Sequence, residues 1–280
     1  MNMKLKNRLI LIFLLACCHT LISQEMEVMS YNIKYANEND GENSWSKRKD
    51  FITNQLKFYE PDIFGVQEAV LGQLTHVTSE LDGYEYIGTG RDGGENGEFS
   101  ALLYKTEKFD VQISGTFWLA KDVTKPSKGW DAAFPRVCTY ALFKDKETGK
   151  QFWVFNTHFD HRGTKARLES AKLVLTKIKE INTAGLPAIL MGDLNLEPDT
   201  KAIRLITDEL RDSRKIAKTV AFGSEGTFNG YKFHEPVTRR IDYIFVNNEV
   251  EVLKYGVLTD SKDQKYPSDH FPVLITAELK

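Results

Sequence analysis

Cysteine is nearly missing from this 280-residue chain: of three, two are adjacent at Cys17 and Cys18, and only Cys138 follows. Residues 25–280 can therefore form no internal disulfide, and their stability has to come from a packed core. Proline is scarce at eight residues, and no Pro/Gly/Ser-rich linker, low-complexity tract or internal repeat divides the chain. That predicts one domain over residues 25–280. A surplus of positive charge is also lacking, since Lys and Arg total 37 against 39 acidic residues. Proteins that hold long nucleic acids usually present a basic face, so this balance argues against a nuclease without excluding a local basic patch. What is present is an ordinary globular supply of side chains, 41% hydrophobic and 27% charged.

The first 24 residues stand apart. Lys4, Lys6 and Arg8 precede an apolar run over residues 9–16, and small and polar residues follow up to Gln24. This is the order of a secretory signal, and the run is too short to span a membrane. It predicts an exported protein: periplasmic, outer-membrane lipoprotein or extracellular. Leu14-Leu15-Ala16-Cys17 resembles the lipid-attachment box of bacterial lipoproteins, which makes Cys17 or Cys18 a candidate anchor and the only expected link to a membrane. Cleavage near Ser23 would instead release a free protein. Loss of the leader leaves 34 basic residues against 39 acidic ones, a charge of −5.

Beyond the leader, hydrophobic periodicity predicts many short strands with a few helices. Residues 27–33, 62–67, 84–88, 99–104, 111–119, 136–143, 152–157, 241–246, 251–257 and 272–279 read as strands. Residues 145–150 form a hairpin turn between two of them. Helices are expected over residues 46–59, capped by Ser46, over 70–81, and over 164–181, where Leu168, Ala171, Leu175 and Ile178 share a face. The implied architecture is α/β: a two-sheet β-sandwich flanked by helices, in four layers α/β/β/α.

The segment Ile189-Leu190-Met191-Gly192-Asp193-Leu194-Asn195-Leu196-Glu197-Pro198 runs from a buried strand into a turn, and Pro198 is placed to begin a helix. In extended backbone, residues two apart point the same way, so Asp193 and Asn195 are expected to face one substrate. Gly, Asp and Asn are also ordinary turn residues, so this stretch alone does not decide the matter. Other strand ends repeat the pattern with Asn32, Glu68, His158 and Asp269-His270. Asp242 lies within an apolar strand, where a carboxylate needs a partner. Glu98 opens another strand.

Taken in order, Ser30-Tyr31-Asn32, Gln67-Glu68, Asn156-Thr157-His158, Gly192-Asp193-Leu194-Asn195, Arg240-Ile241-Asp242-Tyr243 and Ser268-Asp269-His270 resemble the endonuclease/exonuclease/phosphatase superfamily of metal-dependent phosphoesterases. The resemblance spans nearly all of residues 25–280 and suggests exported bacterial members. It implies a metal site of Glu68, Asn32 and Asp269 holding Mg2+, with Mn2+ as the alternative; such hard ions favour oxygen ligands. It implies Asp193 as the group that orients or deprotonates water, helped by Asn195. His270, paired with Asp242, would hold the scissile phosphate, and His158, paired with Glu98, would supply a second imidazolium. In the segment joining residues 118–136, Arg136 is a candidate phosphate clamp and Trp130 a candidate stacking platform, although a packed surface loop explains Trp130 equally well. Arg91 sits in a turn that is expected to reach the rim of the site.

The expected activity is hydrolysis of a phosphoester carried by a small molecule, glycan, lipid or nucleic acid, with no protein partner. An extracellular nuclease is the alternative. An inactive binding module sharing the fold is a third reading, opposed by the intact Glu68, Asp193, Asn195 and His270.

Overall fold

In the computed structural model, residues 25–280 are described; the expected leader, with Cys17 and Cys18, lies outside them. Alternation along β1 (Glu25–Asn32) shows how the chain is layered. Met26 and Val28 enter the core between two sheets, whereas Met29 and Tyr31 pack under helices on the outer side. The same period-two rule runs through the other strands.

One sheet has seven strands in the order β10-β12-β13-β1-β2-β4-β3, and the other has six in the order β5-β6-β7-β8-β11-β9. The further strands are β2 (Ile63–Ala69), β3 (Tyr84–Ile87), β4 (Phe99–Lys105), β5 (Phe109–Trp118), β6 (Val137–Asp145) and β7 (Gln151–His158). They continue with β8 (Ala188–Asp193), β9 (Arg211–Asp212), β10 (Phe222–Gly223), β11 (Asp242–Val246), β12 (Val250–Val257) and β13 (Val273–Leu279). Helices α1 (Trp45–Tyr59) and α2 (Leu71–Glu80) cover the first sheet through Ile52, Leu56, Leu74 and Val77. Helices α3 (Thr164–Ile181) and α4 (Lys201–Thr207) cover the second through Ala171, Val174, Ile178, Ile203 and Ile206. A single turn, α5 (Ser213–Ile216), completes the set. This is the expected α/β/β/α sandwich. No helix among the described residues is long and apolar enough to cross a membrane.

The inter-sheet layer is held by Phe143, Phe152, Val154, Met191, Ile244 and Ile275, all fully buried. Each such side chain stabilises the fold by about 1.5–3 kcal/mol relative to exposure. Polar residues interlock the sheets above it. Asn156 on β7 donates through Nδ2 to the carbonyls of Val66 (2.9 Å) and Ala101 (2.7 Å) in the opposite sheet, and its Oδ1 accepts from Gln67 Nε2 (2.7 Å). Gly65 makes room for it: a Cβ there would lie 2.6 Å from Asn156 Cγ.

Two local expectations are corrected. Helix α1 starts at Trp45 with Ser44 at the N-cap, so Ser46 lies inside the first turn, and its Oγ donates to Glu38 (2.6 Å) instead of capping the helix. Pro198 does not begin a helix. It belongs to a turn, and α4 starts at Lys201 after Thr200, whose hydroxyl accepts from Ile203 N–H (3.5 Å).

Candidate active site

The site is the continuation of the inter-sheet core. On β8, Ile189, Met191 and Asp193 alternate onto one face; on β11 the series is Val246, Ile244 and Asp242; on β7 it is Val154, Asn156 and His158; on β1 it is Val28, Ser30 and Asn32. The inward faces are apolar in the middle and turn polar at one end. Register brings the ends level, since Asp193 pairs with Asp242 on one side and with His158 on the other. The parallel pairing of β1 with β2 sets Asn32 beside Gln67, next to Glu68.

At that end Asn32, Glu68, His158, Asp193, Asn195, Asp242, Asp269 and His270 converge. Asn32 Nδ2 lies 3.0 Å from Asp193 Oδ2, 3.1 Å from Glu68 Oε1 and 3.5 Å from His270 Nε2. Asp193 Oδ2 is 3.4 Å from His158 Nε2 and 3.8 Å from His270 Nε2, and Asp193 Oδ1 accepts the Asn195 N–H (2.8 Å). His270 Nδ1 donates to Asp242 (2.9 Å). Asp193 and Asp242 are 1% exposed, so these charges are compensated within the cluster and not by water.

The loop before β13 is fastened to β1: Ser268 Oγ donates to the Asn32 carbonyl (2.6 Å), and His270 N–H donates to Ser268 Oγ (3.3 Å). Thr227 Oγ1 accepts the N–H groups of Ile241 (3.0 Å) and Asp242 (3.1 Å), which fixes the start of β11. Phe228 meets the His270 ring edge-on at 5.1 Å. Lys34, Glu68 and Asn195 all have positive φ, at 56°, 63° and 50°. Such conformations are uncommon for non-glycine residues and gather at functional sites.

Electrostatics separate the two histidines. Burial works against protonation of His270, but the charges of Asp242 and Asp193 outweigh it and raise its pKa well above the usual histidine range. His270 is thus an imidazolium. Burial and then the Arg136 guanidinium push His158 well below that range. Arg136 has no acceptor, so its contact with His158 Nδ1 (2.9 Å) makes that nitrogen the acceptor and leaves the ring proton on Nε2. Asp193 is raised, by burial and then by Asp242, which makes it a better base than a free carboxylate.

Several sequence-based expectations change here. His158 is neutral, not a second imidazolium, and its partner is Arg136 instead of Glu98. Glu98 pairs with Arg91 (2.6 Å), with Arg136 4.0 Å away. Arg136 is partly engaged within the protein: Nη1 donates to His158 and Nη2 to His161 Nδ1 (3.1 Å), while Nε lies 3.7 Å from Asp160 without a hydrogen bond, and the side chain lines the cleft. Trp130 lines a separate surface depression with Lys121, Lys128 and Lys165. Asn195 turns back beside His158 in a left-handed conformation, its Nδ2 donating to the Phe159 carbonyl (3.1 Å), because the strand alternation ends at Asp193.

A cleft of about 580 Å³ opens above the cluster, and Arg91, Phe134, His161, Phe228 and Arg239 also line it. Phe134 carries Arg91 over its ring (4.7 Å) and stacks on His161 (6.0 Å). Of these rim residues Arg91 and Phe134 had sequence signals, as parts of a turn and of the aromatic-bearing segment over residues 118–136, whereas His161, Phe228 and Arg239 had none. Lys34, unnoticed in the sequence, places Nζ 3.6 Å from Glu68 and 3.9 Å from Asp269.

Those two carboxylates therefore enclose a position that already attracts a cation, and their hard oxygens suit a divalent metal. Asn32 offers less, because its Oδ1 accepts the Lys34 N–H (3.0 Å) and its Nδ2 faces the carboxylates. Asp193, Asp242 and His270 also bring ligand-type atoms within 4.8 Å of one another. That trio is already joined by the hydrogen bond from His270 Nδ1 to Asp242, so the hard oxygens of Glu68 and Asp269 are the better pair for a divalent metal.

Known proteins agree with this geometry. The model of the endonuclease/exonuclease/phosphatase family matches residues 29–270. The chain is similar to the crystal structure of an endonuclease/exonuclease/phosphatase family protein from Bacteroides thetaiotaomicron, with 41% identity, 92% of this chain and 99% of that one covered, and a TM-score of 0.88. It is also similar to a mannosyl-6-phosphatase of the same species, with 42% identity, 90% and 99% covered, and a TM-score of 0.87. An uncharacterized protein of Acanthamoeba polyphaga mimivirus is 27% identical over 260 residues, 84% of this chain and 92% of that protein. The match runs from within β1 to His270 and so contains every site-bearing strand end described above: the chain belongs to the endonuclease/exonuclease/phosphatase family and is a hydrolase of phosphoester bonds.

Proposed function

We propose that the protein is an exported, divalent-metal-dependent phosphatase that removes a phosphate carried by a sugar. The reading rests first on one arrangement: Asp193 stands within 4 Å of both an imidazolium and a neutral imidazole, beside two carboxylates that enclose a cation. Asp193 takes the proton of an attacking water, held in place by Asn32 and by the Asn195 N–H. His270, kept charged by Asp242, meets the negative charge that builds on the phosphate, and His158 adds a neutral Nε2–H donor. Glu68 and Asp269 are the residues that would hold a divalent metal, Mg2+ or Mn2+, which would supply Lewis-acid polarisation of the phosphate when bound. No covalent intermediate is required.

The sugar enters from the mannosyl-6-phosphatase likeness and from the cleft, whose volume suits a small ligand. Charge points the same way. Each cation lining the cleft already has an acidic partner: Lys34 has Glu68 and Asp269, Arg91 has Glu98, Arg136 has Asp160, and Arg239 has Glu197. Long nucleic acids are usually held on a face with an excess of positive charge. Export rests on the leader pattern alone.

The test is phosphate release by the purified protein lacking the leader, in Mg2+, from mannose 6-phosphate, p-nitrophenyl phosphate and bis-p-nitrophenyl phosphate, with plasmid DNA and RNA alongside. Release from the monoesters, lost in Asp193→Ala, is expected. Degradation of nucleic acid at moderate salt with no release from the sugar phosphate would replace this reading by the nuclease.

A further inference from the structure

Arg48 is a buried cation on α1, 4% exposed, for which the chemistry above has no use. Its hydrogen-bond acceptors are all backbone carbonyls, drawn from separate segments. Nε donates to Asn43 O (3.0 Å); Nη1 donates to Ile33 O and more weakly to Pro267 O (3.4 Å); Nη2 donates to Lys34 O (2.6 Å) and Tyr35 O (3.2 Å). Its guanidinium also lies over the Trp45 ring at 5.1 Å.

These acceptors sit immediately beyond the site. Ile33, Lys34 and Tyr35 follow Asn32 directly, and Pro267 immediately precedes Ser268-Asp269-His270. Three successive carbonyls turned toward one group need an unusual backbone, and Lys34 has it, at φ 56°. That conformation sends the Lys34 N–H to Asn32 Oδ1 (3.0 Å) and the Tyr35 N–H to Glu68 Oε2 (3.3 Å). It also places the Lys34 ammonium between Glu68 and Asp269. Gln73 assists from α2, donating to Lys34 O (2.9 Å) and accepting from Ala36 N–H (2.9 Å). Backbone strain of this kind persists only where the surroundings over-determine it.

We infer that Arg48 is a positioning residue: its single guanidinium clamps the end of β1 to the loop before β13, so that Glu68 and Asp269 face one cation while Asn32 and His270 face Asp193. A lysine cannot substitute, because three donors radiating from one nitrogen do not span acceptors held by a planar fork of five. The inference rests on the proposed metal-dependent phosphatase reading.

The experiment compares wild type, Arg48→Lys and Arg48→Met with Arg211→Met as a control. Arg211 also donates to carbonyls, of Asn247 (2.7 Å) and Val250 (2.5 Å), but it pairs with Val246 at the far end of β11 from Asp242. The readouts are thermal midpoint without metal, Mn2+ affinity by calorimetry, and kcat and KM on p-nitrophenyl phosphate, all taken well below every midpoint. Both Arg48 variants should bind Mn2+ about tenfold or more weakly and lose at least tenfold in kcat, whereas Arg211→Met lowers only the midpoint. Arg48→Lys keeps the charge and gives the answer if Arg48→Met does not fold. Lowered midpoints with unchanged Mn2+ affinity and kcat in the folded Arg48 variants would overturn the inference. Wild type without turnover would instead remove the phosphatase reading, and the affinity comparison would still judge Arg48.

Discussion

The two flanks of the cleft carry the same ring in opposite company. On one side His270 stands among Asp242, Asp193 and Asp269, with Glu68 and Lys34 beyond. On the other, His158 faces Arg136, with Arg91 and His161 behind it. The acidic flank keeps its imidazole charged and has room for a cation, and the basic flank keeps its imidazole neutral. A histidine at a strand end is thus not one kind of catalytic group; its neighbours decide whether it brings a charge or a single hydrogen-bond donor.

The strongest way to break this contrast is to strip the acidic flank. Excess chelator is expected to abolish turnover, with Mg2+ or Mn2+ restoring it; full activity in chelator would refute any role for a metal at Glu68 and Asp269. Asp193→Asn keeps the shape but not the base, and kcat should fall by roughly 10³-fold, near the middle of the range for a lost general base. A rate within tenfold of wild type would remove Asp193 from the proton transfer.

Smaller effects separate the flanks from each other. Asp242→Asn takes away the charge that holds His270 protonated, and kcat should drop by about 10²-fold, as when one stabilising donor is lost. Arg136→Met on the basic flank should cost about tenfold, by the same reasoning applied to a donor that is disoriented and not removed. Equal losses in the two variants, measured side by side on one monoester, would mean that the histidines are interchangeable.

The smallest effect is on stability. His158 has a lowered pKa when folded, so the unfolded chain binds the extra proton first as the pH falls. Its contribution is complete above the unfolded value of about 6.5 and is lost as the pH drops below it. His158→Gln should therefore flatten the decline of the thermal midpoint on the acid side of neutrality. An unchanged slope would show that His158 is not held neutral.

How much of this was legible beforehand follows from what periodicity can carry. The strand alternation that puts Val28, Met191 and Ile244 between the sheets also puts Asn32, Asp193 and Asp242 at one end of that layer, so these positions could be read from spacing and residue type. The sandwich was legible for the same reason. The partner of His158 was not. Arg136 is 22 residues away in sequence, one residue before β6, and comes level with the end of β7 only through the antiparallel pairing of those two strands. Lys34 and Arg48 were invisible because their roles depend on a left-handed backbone turn and on carbonyl acceptors, and carbonyls carry no residue identity. Trp130 was misplaced because an aromatic in a loop says nothing about which depression it borders.

The interlock of Gly65 and Asn156 bears on how such an enzyme can diversify. With an amide wedged where a methyl group would otherwise sit, neither layer can slide past the other, and the reacting groups are aligned from below by the sandwich itself. The rim segments bearing Arg91, Phe134 and Phe228 are then relieved of that duty. They are free to lengthen, shorten or change their side chains, admitting a different alcohol behind the same phosphate while the hydrolytic geometry stays put.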